Sequence, residues 1–238
     1  MARYIDRNPV PPGLSDASTR RSHHDVVVVG ARCAGAAVAR LLARAGHDVV
    51  MVDRSHPARD TSSTHSLSRG GVVQLQRWGL LDDVVATGAP EIRSVSFHHD
   101  GGTVRHAVKD RAGVDFVVAP RRYVLDALLA DAAVAAGARL VTDTTVTGVL
   151  RDADGRVIGV TARDADGTPR ELTARLVVGA DGLRSSVARY VGAQVVERHD
   201  PTGRISQTQA SPWCVGNTPA KASSSTWSWT PSQSTSPT

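Results

Sequence analysis

Residues 25–53, which read DVVVVGARCAGAAVARLLARAGHDVVMVD, restrict the possible folds more than any other stretch of the chain. Asp25-Val-Val-Val-Val29 is a short, all-apolar, β-branched run, the pattern of a strand covered on both faces in a parallel sheet. Residues 33–45 are rich in Ala, Leu and Arg with an apolar stripe, which predicts a helix, and Gly46 stands where a glycine commonly ends one. Asp48-Val-Val-Met-Val52 is a second buried strand and Asp53 follows it. Strand, helix and strand within about 30 residues make a βαβ unit, so the expected class is α/β.

The turn inside that unit carries chemistry. Gly30-Ala-Arg-Cys-Ala-Gly35 follows a strand and opens a helix, the context of a dinucleotide-binding fingerprint. Gly30 makes the tight turn and Gly35 lets helix and sheet pack closely. The free amides of the helix start, at Cys33 and Ala34, would face a pyrophosphate across the positive end of the helix dipole. Arg32 replaces the middle glycine of the usual pattern, and its guanidinium could bind phosphate itself or shield the cofactor. Asp53, about 20 residues on, is placed to accept hydrogen bonds from ribose hydroxyls, with Arg54 beside it. Taken singly, the glycines also read as packing positions in an ordinary strand–turn–helix, and Asp53 as a solvated strand-end acid.

Further along, residues 54–70 read as loop and 71–86 as helix broken at Gly79. Residues 91–118 contain short β segments around a hairpin signal at Asp100-Gly101-Gly102. Residues 121–136 are a clear amphipathic helix, and 138–178 give several strands with turns at Asp154-Gly155 and Asp166-Gly167. Val178-Gly179-Ala180-Asp181-Gly182 ends the last strand, and 184–191 begin another helix.

Composition excludes several classes. The net charge is +5, but it sits at the ends. Of 28 basic and 23 acidic residues, four and two fall in 1–24, and two and none in 201–238, which leaves 22 and 21 between them. With a nearly neutral body, the basic balance gives little support for nucleic-acid binding. No apolar run is long enough to span a membrane, and the first 24 residues lack the apolar core of a secretory signal. Cys33 and Cys214 cannot form a disulfide scaffold, and no zinc-type spacing occurs. In 203–238, 15 of 36 residues are Ser or Thr and none is acidic, a low-complexity composition that also holds Trp213, Trp227 and Trp229.

Gly30–Gly35, Asp53, Arg122-x-x-Leu125 and the run GADGLRSSVAR, taken together and in this order, resemble the flavin-dependent monooxygenases of the p-hydroxybenzoate hydroxylase fold. They are similar too to the related geranylgeranyl reductases and flavin halogenases. The resemblance covers about residues 25–200. It implies a Rossmann-like FAD/NAD(P)-binding domain interleaved with part of a β-rich substrate domain. The implied division is a flexible extension over 1–24, an FAD-binding domain over 25–90 and 120–200, part of a substrate domain over 91–119, and a disordered Ser/Thr-rich tail over 201–238.

By the same resemblance, Gly30, Arg32 and Gly35 hold the FAD pyrophosphate and Asp53 the adenosine ribose. Arg122 contacts the pyrophosphate region, the backbone around Val146 lies beside the adenine, and Asp181 with Gly182 reaches the ribityl and phosphate portion. NAD(P)H would reduce the flavin and a small organic molecule would be hydroxylated with O₂, in the cytoplasm. Alkene reduction or halogenation, a non-catalytic FAD- or ADP-binding fragment, and an NAD-binding domain without flavin are the competing readings. The family's third motif, a Gly-Asp pair, is absent from this sequence, which leads to the expectation of a shifted reading frame from about residue 200. His65 and Ser66 are weaker candidates near the flavin ring. His98, His99 and His106 lack partners at metal spacing and read as surface.

Overall fold

The computed structural model describes residues 19–57, 59, 66–99 and 101–194. In chain order the elements are β1 (Arg20–Val29), α1 (Cys33–Arg44), β2 (Val49–Val52), α2 (Arg69–Arg77), α3 (Leu81–Ala86), β3 (Glu91–Ile92), β4 (Ser94–His99), β5 (Gly102–Ala107) and β6 (Val117–Val118). They continue with α4 (Arg122–Ala135), β7 (Arg139–Val141), β8 (Thr145–Arg151), β9 (Val157–Arg163), β10 (Pro169–Gly179) and α5 (Ser186–Tyr190). Of the described residues, those up to 59 and from 122 onward form one compact unit, and those from 66 to 121 form another.

The first unit is α/β. Its six-stranded sheet has the order β7-β2-β1-β10-β9-β8. The strands β7, β2, β1 and β10 run parallel, and β9 and β8 extend the sheet antiparallel. The valine runs become strands because both of their faces are covered. Val27, Val29, Val50 and Val52 cluster with Val160, Ala162, Leu172 and Ala174. Val28, Val49 and Met51 are also buried, and α1 and α4 pack together and against this part of the sheet. Small residues allow that approach: Gly35, Ala36 and Ala39 are the buried positions of α1, and Ala130 and Ala133 lie on the buried face of α4.

β1 starts at Arg20, five residues before the apolar run and inside the stretch that composition marks as a flexible extension. The cause is β10, which is 11 residues long and pairs with β1 from Arg20↔Arg170 through Val29↔Gly179. Arg21 is ion-paired with Glu171 at 2.9 Å along this polar half of the ladder.

In the second unit β3 pairs with β6, and β4 and β5 form the hairpin announced by Gly101-Gly102. α2 and α3 bury Val72, Val73, Leu75, Leu81 and Val84, and Arg93 bridges Glu91 and Asp115. No helix among the described residues is long and apolar enough to cross a membrane.

Candidate functional site

Three neighbouring parallel strands, β2, β1 and β10, end at Asp53, Gly30 and the Ala180-Asp181-Gly182 turn. Backbone bonds continue the ladder past the strand ends. Ala180 donates to the Val29 carbonyl (2.7 Å), Gly30 to the Val52 carbonyl (2.8 Å) and Asp53 to the Val141 carbonyl (2.9 Å). The motifs far apart in sequence are therefore side by side at the carboxyl edge of the sheet. That edge is where open α/β sheets bind ligands.

Both glycines of the turn are sterically required. Gly30 has φ +101°, and a Cβ there would collide with the Ala180 carbonyl, so the glycine turn and the Asp-Gly turn fit only without a side chain between them. A Cβ at Gly35 would collide with the Gly30 carbonyl, which fixes how closely α1 follows β1. Arg32 occupies the N-cap position of α1 in extended conformation, with no side-chain cap. Its half-buried side chain has no hydrogen-bond or ion-pair partner among the described residues. Ala34, next on the helix, is exposed.

Asp53 is half-buried and holds the turn from below. Its Oδ2 accepts from the Ala31 amide (2.9 Å) and its Oδ1 from the Ser55 amide (3.0 Å) and hydroxyl (3.3 Å). A carboxylate offers about four lone-pair sites, so one remains for a ligand hydroxyl. Arg54 is exposed beside it. The Asp53 carbonyl accepts from Thr144 (3.0 Å), which brings the start of β8 next to the acid. Val146 lies there with its side chain in the core, opposite Ala162 on β9 and just before a register shift in the strand.

Asp181 has a local task. It accepts from the Ser185 hydroxyl (2.6 Å) and from the Ser186 (2.6 Å) and Val187 (3.2 Å) amides, which caps α5. Burial works against the charge, but these donors outweigh it and hold the carboxyl below the usual carboxylate range. Gly182 turns the chain with φ +91° and is exposed.

One residue of this cluster carries no motif. Asp126, on α4, is completely buried. Its Oδ1 accepts from the Cys33 amide (3.2 Å) and thiol (3.0 Å), and both of its oxygens accept from the Arg122 Nη2, each at 3.0 Å. Its one sequence signal is an acid four residues after Arg122, on the apolar face of an amphipathic helix. Burial first, then the Asp126 charge and hydrogen bond, push the Cys33 thiol up to about 12. The helix start that would favour a thiolate is outweighed, and the Cys33 amide, expected to be free for a pyrophosphate, is instead taken by Asp126, so Cys33 serves through its small size.

Every candidate of the fingerprint, Asp53, Arg122, Val146 and Asp-Gly set lies in the first unit. Ser66 lies in the second, and His65 falls outside the described residues, as do Trp213, Trp227 and Trp229. No group of three or more metal-type ligands occurs among the described residues. His98 is exposed and bonded to Thr103 (2.8 Å).

These residues fit a dinucleotide. Among the described residues the Arg122 Nε is buried with no hydrogen-bond partner, an orphaned cationic donor that costs free energy unless an acceptor reaches it. The unpartnered Arg32, the exposed start of α1 and the spare lone pair on Asp53 complete a set matched to phosphates and a ribose.

A family model described as an FAD binding domain matches residues 23–235. The menaquinone reductase of Mycolicibacterium smegmatis is 35% identical over 174 residues, which cover 71% of this chain and 40% of that protein. The kynurenine 3-monooxygenase of Salinispora arenicola is 32% identical over 181 residues, 72% of this chain and 38% of that protein. Among solved structures, PqsL of P. aeruginosa in complex with 2-aminobenzoylacetate superposes with a TM-score of 0.61 at 28% identity, covering 75% of this chain and 48% of that one. The matched part of the chain thus spans 38–43% of the curated relatives' length.

Proposed function

The chain belongs to the FAD-binding-domain family, and from that premise we propose that residues at the ends of β2, β1 and β10 hold FAD for an NAD(P)H-using monooxygenase of a small organic substrate. The observation that carries the flavin reading is the Arg122 Nε, buried and unpaired next to a helix start whose neighbouring Arg32 is also unpartnered. Gly30, Arg32, Ala34, Gly35 and Arg122 would take the pyrophosphate, the Cys33 amide being bonded to Asp126. Asp53, with Arg54 at its side, would take the adenosine ribose, the Val146 backbone the adenine, and Asp181 with Gly182 the ribityl end.

When bound, the flavin supplies hydride and oxygen chemistry, which no side chain can. The chain's own residues bind and orient it. Guanidinium groups neutralise phosphate charge with planar, paired donors. Asp53 selects a free ribose by accepting from its hydroxyl, and its charge opposes a phosphate at that place. A cytoplasmic setting would supply the nicotinamide donor.

A second reading, a flavin-dependent reductase such as an alkene reductase, rests on the similarity at 35% to a protein named as a reductase, menaquinone reductase. The two readings share the flavin and differ in what it reacts with. One preparation tests both levels. Protein mixed with FAD and desalted should keep the visible absorbance of bound flavin. NADPH should then be consumed together with O₂ for a monooxygenase, and without O₂ when an alkene acceptor is added for a reductase. A desalted protein free of flavin would overturn the proposal.

A further inference from the structure

Asp126 is the one fully buried carboxylate among the described residues of the first unit, and its position is electrostatically awkward. It lies against the start of α1, bonded to the Cys33 amide, where an anionic ligand is expected. By itself a negative charge there repels a phosphate and competes for the positive end of the helix. Its bonds explain its presence. Two charge-assisted contacts of 3.0 Å tie it to the Arg122 Nη2. With Nη2 tied inward in this way, the guanidinium is held against α4, and among the described residues the Nε is left as a buried, unpaired donor. The same carboxylate takes the Cys33 amide, so it locks the relative position of α1 and α4, the two helices that meet at the site.

We infer that Asp126 is a positioning residue of the flavin site, which acts through Arg122 by holding its guanidinium, one-third of the side chain still exposed, at the start of α1 for the bound pyrophosphate. The inference rests on the FAD reading above and adds a sign that a purely structural role lacks. The direct effect of Asp126 on a phosphate is repulsive, and its indirect effect through Arg122 is attractive. In the native chain the indirect effect dominates. Once Arg122 is gone, only the repulsion remains.

Flavin fluorescence titration of four proteins separates the two effects: native, Asp126→Asn, Arg122→Gln and the double variant. Asp126→Asn should weaken FAD binding about tenfold, because a neutral amide loses the charge-assisted hold on the guanidinium. Added to Arg122→Gln, the same substitution should strengthen binding by a few-fold. Weakening in both backgrounds, or no effect of Asp126→Asn on the native chain, overturns the inference while leaving the FAD reading intact. A native chain that ignores FAD overturns both. Melting curves of the ligand-free proteins show which variants fold. Where Arg122→Gln does not, Arg122→Lys serves as the background: it keeps the ion pair but lacks the planar donor set, so Asp126→Asn should weaken binding clearly less there than in the native chain, and an equal loss in both backgrounds overturns the inference.

Discussion

Arg122 and Asp126 make a pair in which one member is fully buried and the other is about one-third exposed. Removing the cation leaves an uncompensated buried charge, whereas removing both charges does not. Arg122→Gln should therefore lower stability by about 3 kcal/mol, the low end for breaking a buried pair because Arg122 reaches solvent. Asp126→Asn in the same chain should restore most of it, as urea unfolding would record. A second prediction concerns His24, buried on β1 far from the strand ends of the site. Its Nδ1 lies 2.7 Å from an Arg139 guanidinium nitrogen and 3.1 Å from Asp48, and its Nε2 lies 2.9 Å from the Ser22 hydroxyl. Burial first, then the Arg139 charge, with a smaller push from His23, outweigh Asp48 and lower its pKa below the usual 6.5. The folded state thus binds the proton less tightly than the unfolded state. Stability should fall as pH drops below about 6.5, with a slope of at most about 1.4 kcal/mol per pH unit. Asp48, Asp164 and Asp181 are held below the ordinary 3.8, so their contributions are lost only in stronger acid. His24→Gln should flatten urea midpoints between about pH 7 and 5.5; an unchanged slope would remove His24 as the cause. Sequence alone shows neither network. A His and an acid 24 residues apart carry no signal until β1 and β2 are paired, and Asp126 reads as one more polar residue on a helix.

The elements were more legible than their ends. Valine runs between glycines can hardly be anything but covered strands, and the Arg122–Ala135 helix follows its apolar spacing. The polar half of β1 was not legible, because Arg20–His24 have no strand pattern of their own and are ordered by the long partner strand β10. β10 also shows what pairing leaves undone. β9 covers it only from Pro169 to Thr173, and among the described residues no strand pairs with the same edge beyond that point. Arg156 donates to the Arg175 carbonyl there (3.3 Å), but Leu176 is half exposed. An open edge with an exposed leucine invites association with another chain. Leu176→Lys should reduce concentration-dependent aggregation, seen by light scattering, and shift stability by no more than about 0.5 kcal/mol. If aggregation is unchanged, another surface is responsible.

At the scale of the molecule, four short motifs specify one edge of one sheet. Gly30, Asp53 and Asp181 were readable as a set because each follows a strand of a parallel sheet, and such strands end together. Gly30 and Ala180 touch so closely that neither turn can be understood alone. What the flavin would react with was not readable, since the curated relatives include both reductases and monooxygenases and the matched region spans less than half of each. The central claim is that FAD binds at the ends of β2, β1 and β10. An amide NMR titration with FAD tests place and binding together on a 25.1 kDa chain. Saturable shifts should appear at Gly30–Gly35, at Asp53 and Ser55, and at Ala180–Gly182, while β4 and β5 amides stay still. A spectrum that does not change, or shifts confined to other strands, would contradict the account.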